Sequence, residues 1–336
     1  MNASASTVAI VAFTLALLGC SAGDDLSADT IVDDAGGADS GNVEPDSSAD
    51  AGDATDTGNP DSDNSSGDAA DTGGETDANT DTGTPVPDPA FIIAVGGIDA
   101  FDLLSNDQKT AIRDTKVFFE HMSVGENIIK GFTSPSAPWN GGTNSLGFVF
   151  RSVSSASDYS TVTLGDKAFG FNGRAIDKIS MFADAMTSGG YGNAVRVAGF
   201  KFCYNDLTTE NTSNVGSVID AYRTAFATVE ASVSSTSFFH VTTPLQPANE
   251  WHSVENNAIR VEFADFLRDT YSGSRHVVFD LQTIESTDAS GGRCKQNDVP
   301  VLCAAWAGDR DGHLNDAGST RAAKAFLYAI HVARGL

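Results

Sequence analysis

KVFFEHMSVGEN, residues 116–127, is the stretch that decides the fold. It opens on Val117, Phe118 and Phe119, three large apolar side chains in succession. A run without alternation suits a strand covered on both faces. The run breaks at Glu120, and a helix is expected to start near Val124. A strand that passes so quickly into a helix leaves Ser123 on a sharp turn beyond the strand's carboxyl end. Ser123 is then either a nucleophile facing the amides of the new helix or simply that helix's N-cap.

The chain around this stretch repeats the rhythm. A helix pattern covers 101–113, with Phe101, Leu104 and Ile112 apolar. LGFVFRSV (146–153) and STVTL (160–164) read as strands in a less regular middle. AVRVAGFKFCY (194–204) is a strong strand, and a helix from about Asn214 sets Val218, Tyr222, Ala225 and Val229 on one face. SFFHVTT (237–243) is a strand ended by Pro244, followed by a helix carrying Ile259, Phe263, Phe266 and Leu267. HVVFDL (276–281) is a strand, and the last helix carries Ala323, Phe326, Leu327 and Ile330. This alternation predicts an α/β three-layer sandwich, a mostly parallel central sheet with helices on both faces. Sites in such sheets lie beyond the carboxyl ends of the strands.

Composition divides the 336 residues into parts. No Lys or Arg occurs before Lys109, and residues 21–89 hold 19 of the 45 acidic residues with almost no large apolar side chain. That segment cannot bury enough apolar area to offset its chain entropy, so 20–89 is expected to be a disordered acidic spacer. Its Asp-rich repeats read as a solvated tether, since no fixed Gly and Glu positions complete a calcium loop. Residues 90–336 carry a near-balanced charge and enough apolar content for one core. Neither part is basic, so nucleic acid is not an expected partner.

VAIVAFTLALLGC (8–20) is an apolar stretch too short to span a bilayer comfortably. Leu17-Leu18-Gly19-Cys20 resembles the lipobox of bacterial lipoproteins, although MNASAST at the start lacks the usual Lys or Arg. The resemblance implies a signal peptide over 1–19 and a lipid on Cys20, hence a membrane anchor. Ser21 after the cysteine implies the outer membrane of a bacterial cell envelope. Cys294 and Cys303 flank the polar loop CKQNDVPVLC, and in an oxidising compartment they are expected to form a disulfide. Cys203 sits in an apolar run and reads as a buried small residue.

Three polar clusters each follow a strand. EHMSVGEN places Ser123 on its turn. KFCYND (201–206) ends a strand in Asn205-Asp206, where an amide side chain can reach an oxyanion or merely close a turn. GDRDGHLNDAGS (308–319) sets His313 in a Gly-flanked loop with Asp309 and Asp311, which suits a general base steered by a carboxylate.

In the order Ser, Asn, Asp/His, these clusters resemble the SGNH hydrolases, also called the GDSL esterases and lipases. The resemblance runs over about 116–334 through short motifs, closest to a divergent branch in which H-x-S-V-G replaces G-D-S-L. It implies the flavodoxin-like SGNH hydrolase fold and a serine ester hydrolase without cofactor. Ser123 would be the nucleophile and His313 the base. The Ser123 and Gly173 amides and the Asn205 side chain would form the oxyanion hole. Gly173 is taken from GFNGRAIDKI (170–179) in preference to Gly170, and Asp206 completes the Asn-Asp pair.

Departures are plain. His121-Met122 stand where the family has Gly-Asp, Cys203 replaces a Gly, and the residue three before His313 is Arg310. The aspartate is therefore Asp311 or Asp309, with Asp311 preferred. His121 reads as a residue that hydrogen-bonds the turn, because adjacent strand residues face opposite sides. His240 reads as a satisfied core histidine, and Trp251 and His252 as candidates to line a cleft. The six histidines show no zinc spacing, so no metal is expected. The implied substrates are small-molecule, lipid or carbohydrate esters, with O-acetyl carbohydrate suggested by a cell-surface address. The alternative is an inactive SGNH-like lipoprotein that binds glycan or lipid.

Overall fold

A computed structural model describes residues 90–133, 147–250 and 252–335. The expected signal peptide, Cys20, the spacer and Trp251 lie outside the described residues. In chain order the elements are β1 (Ile92–Ile93), α1 (Gly96–Leu103), α2 (Asn106–Arg113), β2 (Val117–His121), α3 (Val124–Thr133), β3 (Arg151–Ser152), β4 (Leu164–Ala168), α4 (Ala175–Met186), α5 (Tyr191–Ala194), β5 (Val197–Phe200), α6 (Val215–Ser232), β6 (Ser237–Val241), α7 (Val254–Thr270), β7 (His276–Phe279), α8 (Leu281–Glu285), β8 (Lys295–Gln296), β9 (Val299–Pro300) and α9 (Asp316–Arg334).

Seven strands form one sheet in the order β1-β7-β6-β5-β2-β4-β3, and every pairing in it is parallel. Both faces are covered, so all five residues of β2 are buried. Alternation along each strand splits the interior in two. Val117 and Phe119, Phe239 and Val241, and Val277 and Phe279 pack with α1, α3 and α9. Phe118, Ala198, Phe200, Phe238 and Val278 pack with α4, α6 and α7 on the other face. The α/β class and three-layer arrangement follow directly.

The chain departs from expectation in three places. The helix expected over 101–113 is two helices, because Ser105 caps α2 through a capping box with Gln108. The middle strands are shorter and displaced: only Arg151 and Ser152 pair from the first candidate, and β4 begins where STVTL ends. The edge strand β1 has just two residues, beside β7, and its apolar signal is too short to register as a strand.

Cys294 and Cys303 are bonded, as the spacing suggested. The bond closes across the β8–β9 hairpin, whose two turn residues, Asn297 and Asp298, both take positive φ. That is the geometry a two-residue hairpin turn requires, and Asn and Asp tolerate it.

The topology sets the site. β2 pairs with β4 on one side and β5 on the other, and the chain goes from β4 through α4 and α5 across to β5. A crevice opens at such a reversal, outside the carboxyl ends of the strands. Behind it α3 lies close against α9: a Cβ on Gly131 would stand 2.3 Å from the Ser319 carbonyl oxygen. Only glycine allows that approach, which brings the helix after Ser123 against the helix after His313.

Candidate active site

Ser123 occupies the turn between β2 and α3 with φ of 53°, in the left-handed region. A side chain there costs about 1–2 kcal/mol, and strain of this kind clusters at working sites. Gly125 makes the turn possible: a Cβ on it would meet the His121 Cβ at 2.4 Å. The H-x-S-x-G spacing thus has a steric reason, since the new helix folds back over the last strand residue.

The Ser123 Oγ lies 2.6 Å from His313 Nε2, and His313 Nδ1 lies 2.6 Å from Asp309 Oδ2. A proton on Nδ1 directed at the carboxylate leaves Nε2 free to accept from the serine hydroxyl. Asp309, not the preferred Asp311, is the imidazole's partner. Its Oδ1 also accepts from the backbone N–H groups of Asp311, Gly312 and His313 at 2.9, 3.0 and 3.1 Å. The loop therefore wraps around Asp309, and Gly312 with φ of 114° lets it turn. Four residues separate the carboxylate from the histidine because the chain makes this extra turn. Burial raises the Asp309 carboxyl's pKa, but the hydrogen bonds from His313 prevail and hold it below its ordinary value. Asp311 is instead mostly exposed, its Oδ1 3.9 Å from His252 Nε2.

The loop is clamped from both sides. The Leu314 N–H donates to Asn127 Oδ1 of α3 at 3.2 Å. Gln246 Nε2 donates to the Asp311 carbonyl at 3.2 Å, and Asn249 Nδ2 to that of Arg310 at 2.8 Å. His252 braces the same loop: its Nε2 lies 2.9 Å from the Arg310 carbonyl. Gln246 is held in turn by Arg260, which is fully buried and donates Nη2 to Gln246 Oε1 at 2.7 Å and Nε to the Tyr204 carbonyl at 3.0 Å. One buried guanidinium thus fixes both the turn after β5 and the support of the His313 loop.

That turn is a short 3-10 helix, Tyr204–Asp206. Asn205 is exposed on it, and among the described residues no partner holds its side-chain amide. Asp206 is fully buried and acts as a hub. Its Oδ2 accepts from Lys178 Nζ and the Cys203 N–H, each at 2.7 Å. Its Oδ1 accepts from the Gly173 N–H at 2.7 Å. This overturns the role expected of Gly173, whose amide is spent on Asp206 and does not face the site.

Tyr204 was not singled out by sequence, yet it stands at the centre. Its ring meets the His313 imidazole edge-on, 5.9 Å between centroids at 75°. Burial pushes its phenol up to about 12. His121 is buried and does not bond the turn. Neither ring nitrogen has a hydrogen-bond partner, and Nε2 approaches Asp166 Oδ2 at 3.4 Å. His240 is the satisfied core histidine expected, bonded to Tyr222 at 2.8 Å and His276 at 2.9 Å. Among the described residues no group of three His, Cys, Asp or Glu is arranged to hold a metal, and no helix is long and apolar enough to cross a membrane.

No family model matches the chain, and no curated protein matches it. Solved structures do resemble it. An acetylxylan esterase from Geobacillus stearothermophilus superposes with a TM-score of 0.36 at 14% identity, over 64% of this chain and 94% of that one. A carbohydrate esterase of family 3 from Talaromyces cellulolyticus gives 0.33 at 11% identity, over 63% and 92%. Likeness at this distance leaves the chemistry of the site to its own geometry.

Proposed function

We propose that the chain is a serine ester hydrolase. The observation that carries this reading is the hydrogen-bonded line from Ser123 through His313 to Asp309, with the serine on a strained turn. His313 Nε2 takes the Ser123 proton as Oγ attacks an ester carbonyl, and Asp309 holds the tautomer and faces the imidazolium that forms. The leaving alkoxide takes the proton from His313, and water then clears the acyl-enzyme by the same steps. The Ser123 amide and the Asn205 side chain are donors for the oxyanion.

The site is shallow. His313 and Asp309 side chains retain 34% and 44% of their exposure. Such a site suits a short acyl group on a bulky alcohol, and an O-acetylated carbohydrate fits that description. The rival reading, an inactive binding protein, drew its motive from the displaced aspartate and from His121-Met122 standing in place of Gly-Asp. The wrapped loop answers the first of these, since Asp309 still reaches Nδ1. The lipid on Cys20 and a place in the cell envelope remain part of the proposal, carried by sequence; incorporation of labelled palmitate that Cys20→Ala abolishes tests them. For the activity, Ser123→Ala should abolish p-nitrophenyl acetate hydrolysis, and unchanged hydrolysis refutes it.

A further inference from the structure

We propose that Phe171 is the platform on which the sugar ring of an acylated carbohydrate rests at this site. The proposal rests on Ser123 being an esterase nucleophile, and it names the alcohol half of the substrate. Phe171 is 74% exposed, and among the described residues no other Phe, Tyr or Trp is exposed. Phe169, two residues earlier, is buried. A single exposed apolar side chain says little by itself; the position of this one says more.

Phe171 follows the carboxyl end of β4 as Ser123 follows that of β2. The two strands pair with His121 beside Ala168, so from one rung the chain runs two residues to Ser123 and three to Phe171. The loop is fixed around the ring. Gly170 and Gly173 both take positive φ, 65° and 84°. Lys178 Nζ donates to Asn172 Oδ1 at 3.2 Å, and the Gly173 N–H donates to Asp206 Oδ1 at 2.7 Å. Asp206 ends the short turn whose first residue, Tyr204, sets its ring against His313. A Cβ on Gly173 would stand 3.0 Å from Asn211 Nδ2, which donates to the Asn205 carbonyl at 2.9 Å. The Phe171 loop therefore rests on the turn that carries Asn205, and its backbone is already ordered for a ligand.

The surroundings select the ligand. Asn172 and Arg174 on the loop, and Asn205 and Asn211 beside it, are all exposed. An apolar ring face among amides and a guanidinium matches a pyranose, which offers C–H groups to the electron-rich face and hydroxyls to the donors around it. A long acyl chain is the rival occupant, because Ile176 and Met181 of α4, into which the loop leads, are 45% and 40% exposed. Polar side chains on both sides of the ring favour the sugar. No bond forms or breaks at Phe171; it holds the alcohol that leaves when Ser123 takes the acyl group.

The test is Phe171→Ala in the full chain, with glucose pentaacetate as the sugar ester and vinyl acetate as a ringless reference. The ratio of kcat/KM between the two should fall by about 5-fold, the worth of one aromatic contact. The loss should lie in KM, since the sugar is held alike before and in the transition state. Phe171→Trp, which keeps a ring face, should restore the ratio. Where Phe171→Ala does not fold, Phe171→Leu removes the ring face and keeps an apolar side chain, with the same loss expected. An unchanged ratio overturns the proposal, as does a wild type that cleaves vinyl acetate and not the sugar ester. A loss confined to vinyl octanoate assigns the ring to an acyl chain, and a dimeric wild type beside monomeric Phe171→Ala assigns it to a second copy; either overturns the proposal. Inactive Ser123→Ala beside an unchanged ratio in Phe171→Ala rejects the platform alone, and active Ser123→Ala rejects both readings.

Discussion

Asp206→Asn should destabilise the protein by about 3 kcal/mol, by the cost of leaving one member of a buried ion pair alone. The two carboxylate oxygens serve different groups. Oδ1 takes the Gly173 and Arg174 N–H groups at 2.7 and 3.3 Å, and Oδ2 takes Lys178 Nζ and the Cys203 N–H. Asparagine matches the shape but offers one acceptor, so its NH2 must face donors on one side. Lys178, fully buried, keeps Asn172 Oδ1 at 3.2 Å as a hydrogen-bond acceptor and the face of the Phe169 ring at 5.8 Å. Those remaining contacts set the expected figure at the low end of the usual range of roughly 3–5 kcal/mol for a broken buried pair. Urea unfolding followed by tryptophan fluorescence measures it, with the m-value as a check that the transition is the same. Activity should fall too, because Asp206 ties the 173–174 loop to the Tyr204–Asp206 turn. A loss below about 1 kcal/mol at an unchanged m-value, the scale of an ordinary surface change, refutes the reasoning.

Three further outcomes follow from the same structure. Asp309→Asn should lower kcat by about 10⁴-fold, the scale seen when a triad carboxylate loses its charge, while Asp311→Asn stays near wild type; equal losses would contradict the assignment. Glu120 is fully buried, neither of its oxygens has a hydrogen-bond partner, and burial pushes its carboxyl from 4.5 to about 7 against the pull of Lys167. The folded state then binds more protons than the unfolded one between those values, so stability falls as pH rises through that window. Glu120→Gln should add about 3 kcal/mol above pH 7 and nothing near pH 4, read from unfolding temperatures across pH; a pH-independent effect would contradict this. Removing the Cys294–Cys303 bond, which spans nine residues, should cost about 2–3 kcal/mol of stability by loop-closure entropy, measured by denaturation of Cys294→Ser/Cys303→Ser.

Much of the fold was legible because its strands are buried on both faces. Unbroken runs such as Val117-Phe118-Phe119 and Phe238-Phe239 mark such strands, and helical spacing fills the gaps between them. The short edge strands β1 and β3 were missed or displaced, since two paired residues leave no period to read. Ser123 and His313 were legible from motif order. The choice of Asp309 was not, because it depends on a loop that folds back on its own carboxylate. Gly173 misled for a related reason: its amide's direction is set by Asp206, 33 residues away. Tyr204, Gln246 and Arg260 carry no local signal. They matter through contacts between the ends of separate strands, which spacing along the chain does not encode.

The proposed chemistry requires Ser123 to be a nucleophile activated by His313. Labelling of the protein with a fluorophosphonate, followed by peptide mass mapping, tests it most directly. A single adduct on Ser123 that disappears in His313→Ala is expected. No adduct, or an adduct on another serine that His313→Ala leaves intact, contradicts it.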